Sequence, residues 1–357
     1  MKISIILGTR PEIIKMSPII RECERQGLEY FILHTGQHYS YNMDKIFFEE
    51  LELPIARYNL DVGSGSHAEE TGRMLIGIEE VLKEEKPDVL LVEGDTNTVL
   101  AGALAASKLH IKVGHVEAGL RSYDRNMPEE INRIIADHIS DFLFAPTERG
   151  KENLLKEGIF EDKISVTGNT IVDAVFQNLK IAERKVDTLS KLNLSPEGYF
   201  LVTAHRQENV DVKKRLISIL AGLELVHREF GLQIIYPIHP RTVKKIKEFK
   251  LEVPDGIELI EPLGFLEFLQ VEANAKLVMT DSGGVQEETC ILKVPCVTLR
   301  DNTERPETLD VGSNILSGVD QEMIFNGVKT MLSRKSNWEN PFGDGESGKK
   351  IIRILGE

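Results

Sequence analysis

Short apolar segments alternate with longer amphipathic segments along the chain, and this alternation constrains the fold more than any other feature. In the first half, the apolar segments that predict strands are residues 3–7, 31–34, 89–92, 112–116, 142–145 and 164–166. They are rich in Ile, Val and Leu with little polar alternation, which is typical of strands buried on both faces. Because helical segments lie between them, they predict a parallel, doubly wound sheet.

A second series of strands and helices follows in the other half of the chain. Its predicted strands are residues 200–203, 233–237, 257–260, 277–280 and 296–299. A chain of 357 residues is about the length of two domains. We therefore predict an α/β protein with two Rossmann-like domains facing each other across a cleft. Residues 1–169 form the N-terminal domain and 170–357 the C-terminal domain, and the last helix, near 345–357, is expected to pack back on the N-terminal domain.

Composition excludes several classes of function. The chain carries 43 Lys and Arg against 57 Asp and Glu, a net charge of −14. Such an acidic surface repels nucleic acid and anionic membranes, and no apolar run approaches the roughly 20 residues of a membrane span. The cysteines Cys23, Cys290 and Cys296 lack any Cys-x-x-Cys spacing, which argues against a disulfide framework or a zinc site. We expect a soluble cytoplasmic protein that binds neither nucleic acid nor membrane.

The sequence contains no motif in the right context for a nicotinamide cofactor or a divalent metal. A Gly-x-Gly-x-x-Gly pattern spans residues 343–348 but follows no predicted strand, so a nicotinamide dinucleotide site is not expected. No pair of aspartates has the Asp-x-Asp spacing by which a divalent metal holds a nucleotide-sugar. We therefore predict no metal and no cofactor.

Polar residues collect where the predicted strands end. In an open α/β sheet, ligands bind beyond the carboxyl ends of the strands. The candidate residues at these ends are Arg10, Lys15, Gln37, Asp95, Glu117, His205, Arg206, His239, Ser282, Gly283 and Gly284. Because nearly all of them fall on one edge of the two predicted sheets, we expect a ligand site there.

Each group also has a plainer interpretation. Arg10 and Lys15 either pair with acids on a solvated helix or form a local anion site. The Ser-Gly-Gly turn at 282–284 either caps a helix or lets the backbone approach a diphosphate at the helix N-terminus. His205 either bonds to a nearby carbonyl or stabilises a leaving phosphate. His115, inside a strand, is interpreted as structural.

Three acids are candidates for proton transfer. Asp95, Glu117 and Glu129 lie near strand ends in the first half, where a lone acid is more often a helix cap or a surface charge. If all three converge on one site, their repulsion raises the pKa of at least one, as a proton-transfer catalyst requires.

Nine collinear segments make the chain similar to the non-hydrolysing UDP-N-acetylglucosamine 2-epimerases. The segments are Gly-Thr-Arg-Pro-Glu at 8–12, Thr-Gly-Gln-His at 35–38, Gly-Asp-Thr at 94–96, His-Val-Glu-Ala-Gly-Leu-Arg at 115–121, Pro-Glu-Glu-x-Asn-Arg at 128–133, Thr-Gly-Asn-Thr at 167–170, Thr-Ala-His-Arg at 203–206, Thr-Asp-Ser-Gly-Gly-Val-Gln-Glu-Glu at 280–288 and Thr-Glu-Arg-Pro-Glu at 303–307. The resemblance implies the GT-B-type architecture that one large class of glycosyltransferases shares. It also implies interconversion of UDP-GlcNAc and UDP-ManNAc without metal or nicotinamide, and a homodimer.

The resemblance also assigns roles to residues of this chain. The UDP part would be held by Arg10, Lys15, His205, Ser282, Gly283, Gly284, Glu288 and Arg305, with Phe268 as a wall for the uracil. The catalytic residues near the sugar C2 would be Asp95, Glu117 and Glu129, supported by Arg133, with His205 at the leaving phosphate. A second UDP-GlcNAc, acting as an allosteric activator, would contact Gln37, Arg206 and His239.

The implied mechanism is an elimination followed by re-addition. The proton at C2 is not next to a carbonyl, so departure of UDP from C1 must first acidify it. A carboxylate then removes the proton to give 2-acetamidoglucal, and UDP adds back with a proton delivered to the other face. Three alternatives remain open: a hydrolysing epimerase, whose first turn carries Ala-Asp where this chain has Pro11 and Glu12, a retaining glycosyltransferase, and a non-catalytic UDP-sugar sensor.

Overall fold

The computed structural model of the chain describes residues 1–36 and 41–357. For residues 41–44, at the start of the helix that begins at Tyr41, it describes the backbone only. Two compact units divide the chain. The first consists of Met1–Gln177 together with Phe342–Glu357, and the second of Asn178–Pro341.

The first unit contains a seven-stranded sheet in which every strand pairing is parallel. Its strands are β1 (Lys2–Leu7), β2 (Glu29–His34), β3 (Tyr58–Asn59), β4 (Val89–Glu93), β5 (Lys112–Val116), β6 (Phe142–Ala145) and β7 (Ile164–Val166). Their order is β3-β2-β1-β4-β5-β6-β7. The helices between them are α1 (Arg10–Gln26), α2 (Tyr41–Glu50), α3 (His67–Glu85), α4 (Asn97–Lys108), α5 (Pro128–Ile139) and α6 (Glu148–Lys156), with a 3₁₀ turn at Glu161–Lys163. Helix α7 (Thr170–Lys185) begins in this unit and ends in the second.

The second unit repeats the plan with a six-stranded parallel sheet. Its strands are β8 (Tyr199–Thr203), β9 (Gln233–Pro237), β10 (Ile257–Ile260), β11 (Leu277–Thr280), β12 (Cys296–Thr298) and β13 (Asn314–Leu316), in the order β10-β9-β8-β11-β12-β13. Its helices are α8 (Thr188–Lys191), α9 (Gln207–Val210), α10 (Lys213–Phe230), α11 (Pro240–Phe249), α12 (Phe265–Ala273), α13 (Gly283–Leu292), α14 (Pro306–Asp310) and α15 (Gln321–Ser333). The last helix of the chain, α16 (Ser347–Gly356), belongs to the first unit.

The prediction of two Rossmann-like α/β domains is confirmed. All eleven predicted strands are present within a residue or two of their predicted bounds. The short strands β3 and β13, of two and three residues, were not predicted. The sequence-based boundary at 169/170 coincides with the start of α7, whereas the two units divide inside this helix.

Buried strands explain the apolar runs of the sequence. Every residue of β4 is buried, and the cores on the sheet faces combine strand residues with the apolar sides of the helices. Among the described residues, no helix combines the length and the apolar character that a membrane span requires.

Helix α16 is anchored inside the first unit. It packs on α1, where a Cβ added to Gly348 would lie 3.1 Å from the backbone of Pro18. The buried carboxylate of Asp173, on α7, accepts the backbone N–H groups of Ser347 and Gly348 at 3.1 and 3.0 Å. This side chain therefore satisfies donors that the first turn of a helix leaves open.

Candidate active site

The strand order of each sheet reverses at one point. Four of the candidate residues follow the strands that flank these two points. In the first sheet the reversal is between β1 and β4, and in the second between β8 and β11. Arg10 and Asp95 follow β1 and β4, and His205 and Ser282 follow β8 and β11. Ligands of open α/β sheets bind in the crevice at such a switch point.

The turn after β1 is fixed by a buried carboxyl. Glu12 Oε2 accepts the backbone N–H groups of Gly8 and Thr9 at 2.6 and 2.7 Å, and Oε1 accepts the hydroxyl of Thr96 in the loop after β4. A Cβ at Gly8 would lie 2.0 Å from Thr98 Oγ1, so no other residue fits there. Burial raises the pKa of Glu12 to about 7 although these hydrogen bonds lower it. The two switch-point loops are therefore held together by Glu12.

Lys15 lies between two buried glutamates. Its Nζ forms an ion pair with Glu117 Oε2 and lies 3.1 Å from Glu93 Oε1. Asn169 Nδ2 donates to the same Glu117 oxygen at 3.2 Å. Glu117 has φ 69, in the left-handed region that non-glycine residues rarely occupy. Backbone strain of this kind clusters at functional sites, where the surrounding structure holds it.

The electrostatic environment of Glu93 favours its neutral form. Burial raises the pKa of Glu93, the Lys15 ammonium lowers it, and the carboxyls of Glu117 and Glu12 raise it further. The net result is a pKa well above the usual range of a glutamate. One cation therefore serves two acids in a place from which water is largely excluded.

Asp95 is paired with the arginine that the resemblance assigned as its neighbour. Arg133 Nη2 forms an ion pair with Asp95 Oδ2, and Arg133 Nη1 lies 3.0 Å from Glu130 Oε2. Asn132 Nδ2 donates to the backbone carbonyl of Asp95 at 2.9 Å. Glu129 is exposed in the first turn of the same helix, α5. Helix α5 therefore fixes Asp95 through Arg133 and Asn132, and it also carries Glu129 in its first turn.

Phe268, predicted to contact the uracil, and Ser282, of the turn predicted to bind the diphosphate, line the same pocket in the second unit. The pocket has a volume of about 240 Å³ and is lined by Thr203, Ala204, His205, Pro237, His239, Pro262, Leu263, Phe268, Ser282 and Val285. The rings of His205 and His239 lie with their centroids 5.7 Å apart. Burial and electrostatic repulsion from His205 and Arg241 lower the pKa of His239. An apolar pocket with a few convergent polar groups is the usual form of a small-molecule site.

The floor of this pocket includes the start of a helix. Ser282 precedes α13, which begins at Gly283. A Cβ at Gly283 or Gly284 would meet no described atom closer than 3.9 Å, so the first turn is open to a ligand. The free N–H groups and the positive end of the helix dipole favour an anion at this place.

A buried aspartate holds the loop after β8. Asp281 accepts the backbone N–H groups of His205 and Arg206, each at 3.0 Å, and the side-chain amide of Asn209 at 3.0 Å. His205 Nδ1 lies 3.5 Å from the same carboxylate, while the imidazole is about half-exposed. Asp281 therefore positions His205 at the pocket.

The remaining predicted residues of the second unit lie on or next to α13. Arg305 Nε lies 3.0 Å from the buried Glu287 Oε1, one residue before Glu288. Arg206 Nη1 lies 3.9 Å from Glu304, whose carboxylate is bound by Arg300 at 2.7 and 2.8 Å. The hydrogen bonds of Arg300 lower the pKa of Glu304 to about 2.

The predicted residues thus fall into two sets. Arg10, Lys15, Asp95, Glu117 and Glu129 belong to the first unit, where the Arg10 guanidinium lies 5.5 Å from the centroid of the Phe47 ring. His205, Arg206, His239, Phe268, Ser282, Gly283, Gly284, Glu288 and Arg305 belong to the second. Gln37 lies outside the described residues.

The sequence assigned no role to three residues that hold the site residues in place. These are Glu93, and also Asn169 and Asp281, which lie within segments of the resemblance. For Glu93 a signal was present, since an acid directly continues the apolar run 89–92 and is 2% exposed at the end of β4. The others make contacts between distant parts of the chain, which sequence spacing does not reveal.

Comparison with known proteins gives a consistent result. A family model described as UDP-N-acetylglucosamine 2-epimerase matches residues 21–356. The chain is 62% identical over 361 residues to a UDP-N-acetylglucosamine 2-epimerase of Methanocaldococcus jannaschii, with 99% of both chains covered. It is 43% identical to a UDP-2,3-diacetamido-2,3-dideoxy-D-glucuronate 2-epimerase of Pseudomonas aeruginosa, again with 99% of both covered. A crystal structure of the M. jannaschii enzyme in complex with UDP-GlcNAc and UDP has a TM-score of 0.87 at 62% identity and covers 100% of this chain and 99% of that one.

Proposed function

Because the chain belongs to the UDP-N-acetylglucosamine 2-epimerase family, we propose that it interconverts UDP-GlcNAc and UDP-ManNAc without releasing the free sugar. The observation that carries the proposal is the group of acids at the carboxyl edge of the first sheet. There Glu117 is paired with Lys15 and Asp95 with Arg133. Acids that are held by fixed cations at a switch point suit proton transfer on a bound ligand.

The UDP part of the substrate is assigned to the second unit. Phe268 lines the pocket together with Ser282 and His205, which supports uracil against the aromatic ring and diphosphate at the start of α13. Glu288, on the same helix, suits the hydroxyl groups of the ribose. Arg305 supplies positive charge next to this helix. Arg10 stays assigned to the UDP part by the sequence resemblance.

The chemistry at C2 is assigned to Asp95, Glu117 and Glu129. Departure of UDP breaks the C1–O bond, and the electron pair leaves with the phosphate. A carboxylate removes the C2 proton, and the electrons of the C–H bond form the C1=C2 double bond of 2-acetamidoglucal. Re-addition of UDP at C1, with a proton delivered to the other face of C2, gives the epimer. The two faces of C2 require two different acid/base groups.

His205 is assigned to the leaving diphosphate. Its backbone is fixed by Asp281 and its ring is about half-exposed at the pocket, so the imidazole is available to a ligand. A protonated imidazole would offset negative charge that develops on UDP as the C1–O bond breaks.

The loop after β1 supports the non-hydrolysing reaction over the hydrolysing one. Pro11 and Glu12 stand where the hydrolysing relatives carry Ala-Asp, and Glu12 bonds this turn to Thr96. Allosteric activation by a second UDP-GlcNAc through Arg206, His239 and Gln37 is part of the same proposal. The His239 ring lies 5.7 Å from the His205 ring, and Arg206 follows His205 in the sequence. An activator bound to these two residues would therefore contact direct neighbours of His205.

The test is incubation with UDP-GlcNAc in deuterated water, followed by NMR. We expect UDP-ManNAc with deuterium at C2 and little free UDP. Asp95→Asn, Glu117→Gln and Glu129→Gln should each lower the rate by about 10²- to 10⁴-fold, the usual contribution of a general acid or base. Glu161→Gln, which removes an exposed acid of the same unit paired with Lys151, is the control and should keep the wild-type rate.

Three outcomes contradict the proposal. Free ManNAc and UDP would identify a hydrolysing enzyme. Binding without turnover or deuterium exchange would indicate a sensor or a transferase. Turnover of UDP-2,3-diacetamido-2,3-dideoxy-glucuronate but not of UDP-GlcNAc would assign the chain the substrate that the name of its Pseudomonas relative gives.

A further inference from the structure

The two carboxyls that share Lys15 have unequal surroundings. Glu117 Oε2 receives both the Lys15 ammonium and the side-chain amide of Asn169. Glu93 Oε1 lies 3.1 Å from Lys15 Nζ, and among the described residues no second donor reaches this oxygen. Donors stabilise the ionised form of a carboxyl, so Glu117 is the better anion of the two.

The sharing of Lys15 also favours a proton on one of the two glutamates. With both ionised, two carboxylates would repel each other beside the same ammonium in a buried place, which is costly. The groups that act on Glu93 are Lys15 and Glu12 from α1 and Glu117 from the loop after β5. Lys15 favours the charged form, whereas burial and both acids disfavour it and prevail.

The strand geometry fixes the side chain of Glu93 beside Lys15. It is the last residue of β4, paired in register with Val116 of β5, and it is 2% exposed. The next residue, Gly94, has φ 83, and Asp95 beyond it turns to Arg133. Glu93 therefore stays beside Lys15 while its neighbour in the loop faces a different cation.

We propose that Glu93 is a positioning residue for the C2 proton transfer: as a neutral acid it leaves the Lys15 ammonium to Glu117, which is thereby held as the anion that accepts a proton. The inference rests on the proposed function. Glu93 keeps its own proton throughout and transfers none. Its neutrality also keeps the cluster free of excess negative charge when the anionic nucleotide-sugar binds.

The consequence is a contribution of Glu93 to the pH dependence of KM. When the pH rises through the ionisation of Glu93, the cluster gains one negative charge, which opposes binding of the anionic substrate. Glu12, whose pKa is about 7, adds a separate rise in KM near neutral pH. Gln has the shape of the neutral acid and does not ionise. Glu93→Gln should therefore keep kcat near the wild-type value at neutral pH and lose the part of the rise in KM that Glu93 contributes.

The experiment compares wild type, Glu93→Gln and a matched control across the pH range from neutral to alkaline. The control is Glu85→Gln, which removes another buried, lysine-paired glutamate of the same unit, 2.6 Å from Lys2 Nζ at the opposite edge of the sheet. It should retain the wild-type alkaline rise in KM. Infrared spectra at neutral pH provide a readout that needs no turnover. The absorbance of neutral carboxyls, to which Glu12 and Glu272 also contribute, should fall by one carboxyl in Glu93→Gln and stay unchanged in Glu85→Gln, because Lys2 lowers the pKa of Glu85.

The outcomes separate this inference from the proposed function. If wild type shows no deuterium exchange, the proposed function fails, and the infrared comparison still decides whether Glu93 is neutral. A Glu93→Gln variant with undiminished neutral-carboxyl absorbance, or with the whole of the wild-type rise in KM, overturns the inference. A variant that folds and binds UDP but has lost kcat at neutral pH also overturns it, because Glu93 would then act through its own proton or charge.

Discussion

Nδ1 of His115 lies 2.7 Å from Oδ1 of Asp137, and both side chains are buried. The other ring nitrogen, Nε2, lies 2.8 Å from the carbonyl oxygen of Gly94. Because both ring nitrogens face acceptors, both must donate, and the imidazole is therefore protonated. Burial lowers the pKa of His115, but the charge and hydrogen bond of Asp137 outweigh burial and raise it above 6.5. This pair joins α5 to β5 and reaches the residue before Asp95.

Asp137→Asn should destabilise the protein strongly. Arg121 Nη2 also lies 2.7 Å from Asp137, so the substitution would leave the buried His115 imidazolium without its counter-charge and Arg121 with Glu157 alone. We expect a loss of about 3–5 kcal/mol in the free energy of unfolding, measured with urea near neutral pH. Glu157→Gln removes the more exposed partner of the same arginine and should cost much less. Equal midpoints for both variants would show that the charge of Asp137 is not what stabilises this region.

Glu12 should make stability depend on pH in the acid-to-neutral range. Its pKa is about 7 in the folded protein against a usual 4.5, so the folded state holds a proton that the unfolded state releases. Its contribution is full below about pH 4.5 and falls as pH rises to about 7, by about 3 kcal/mol. Glu12→Gln keeps the contacts to Gly8, Thr9 and Thr96, since its amide can donate to the threonine hydroxyl. The difference in unfolding free energy between variant and wild type should therefore increase with pH, and a constant difference would contradict this account.

Phe268→Ala should weaken the binding of UDP. An aromatic ring stacked on a base contributes about 1–3 kcal/mol, so the dissociation constant should rise about 5- to 150-fold in calorimetry. Phe325→Ala removes a partly buried aromatic of the same unit that packs on the core outside this pocket, and it should leave the affinity unchanged. If the uracil lies elsewhere, the Phe268 variant would bind UDP as wild type does.

The strands could be predicted because parallel strands buried on both faces appear as uninterrupted apolar runs. The two exceptions are β3 and β13, of two and three residues, and only part of each is buried, so neither forms a continuous buried apolar run. Helices between the strands followed from the same alternation. The connections of the sheets followed from the general preference for doubly wound topologies rather than from particular residues.

The strand ends at which the candidate residues stand could be predicted, but the pairing of their side chains could not. Asp95 and Ser282 follow strands at the two switch points, and Glu117 follows the neighbouring strand β5, because these positions depend on topology alone. Lys15 was assigned to UDP or to acids of its own helix, and in the structure its ammonium contacts Glu117, 102 residues away. Contacts at such separations depend on side-chain packing that one sequence does not specify.

Asp173→Ala should loosen the C-terminal helix α16. The wild-type carboxylate accepts two backbone N–H groups at the start of this helix, and Ala leaves both donors without a partner in a buried place. A lost helix cap costs about 0.5–2 kcal/mol, so amide hydrogens of residues 347–356 should exchange faster while those of β4 and β5 stay protected. Glu161→Ala is the control, since Glu161 is an exposed acid of the same unit that pairs with Lys151 outside this helix, and it should leave the exchange of residues 347–356 unchanged. Unchanged exchange in Asp173→Ala would mean that packing on α1 alone holds this helix in the first unit.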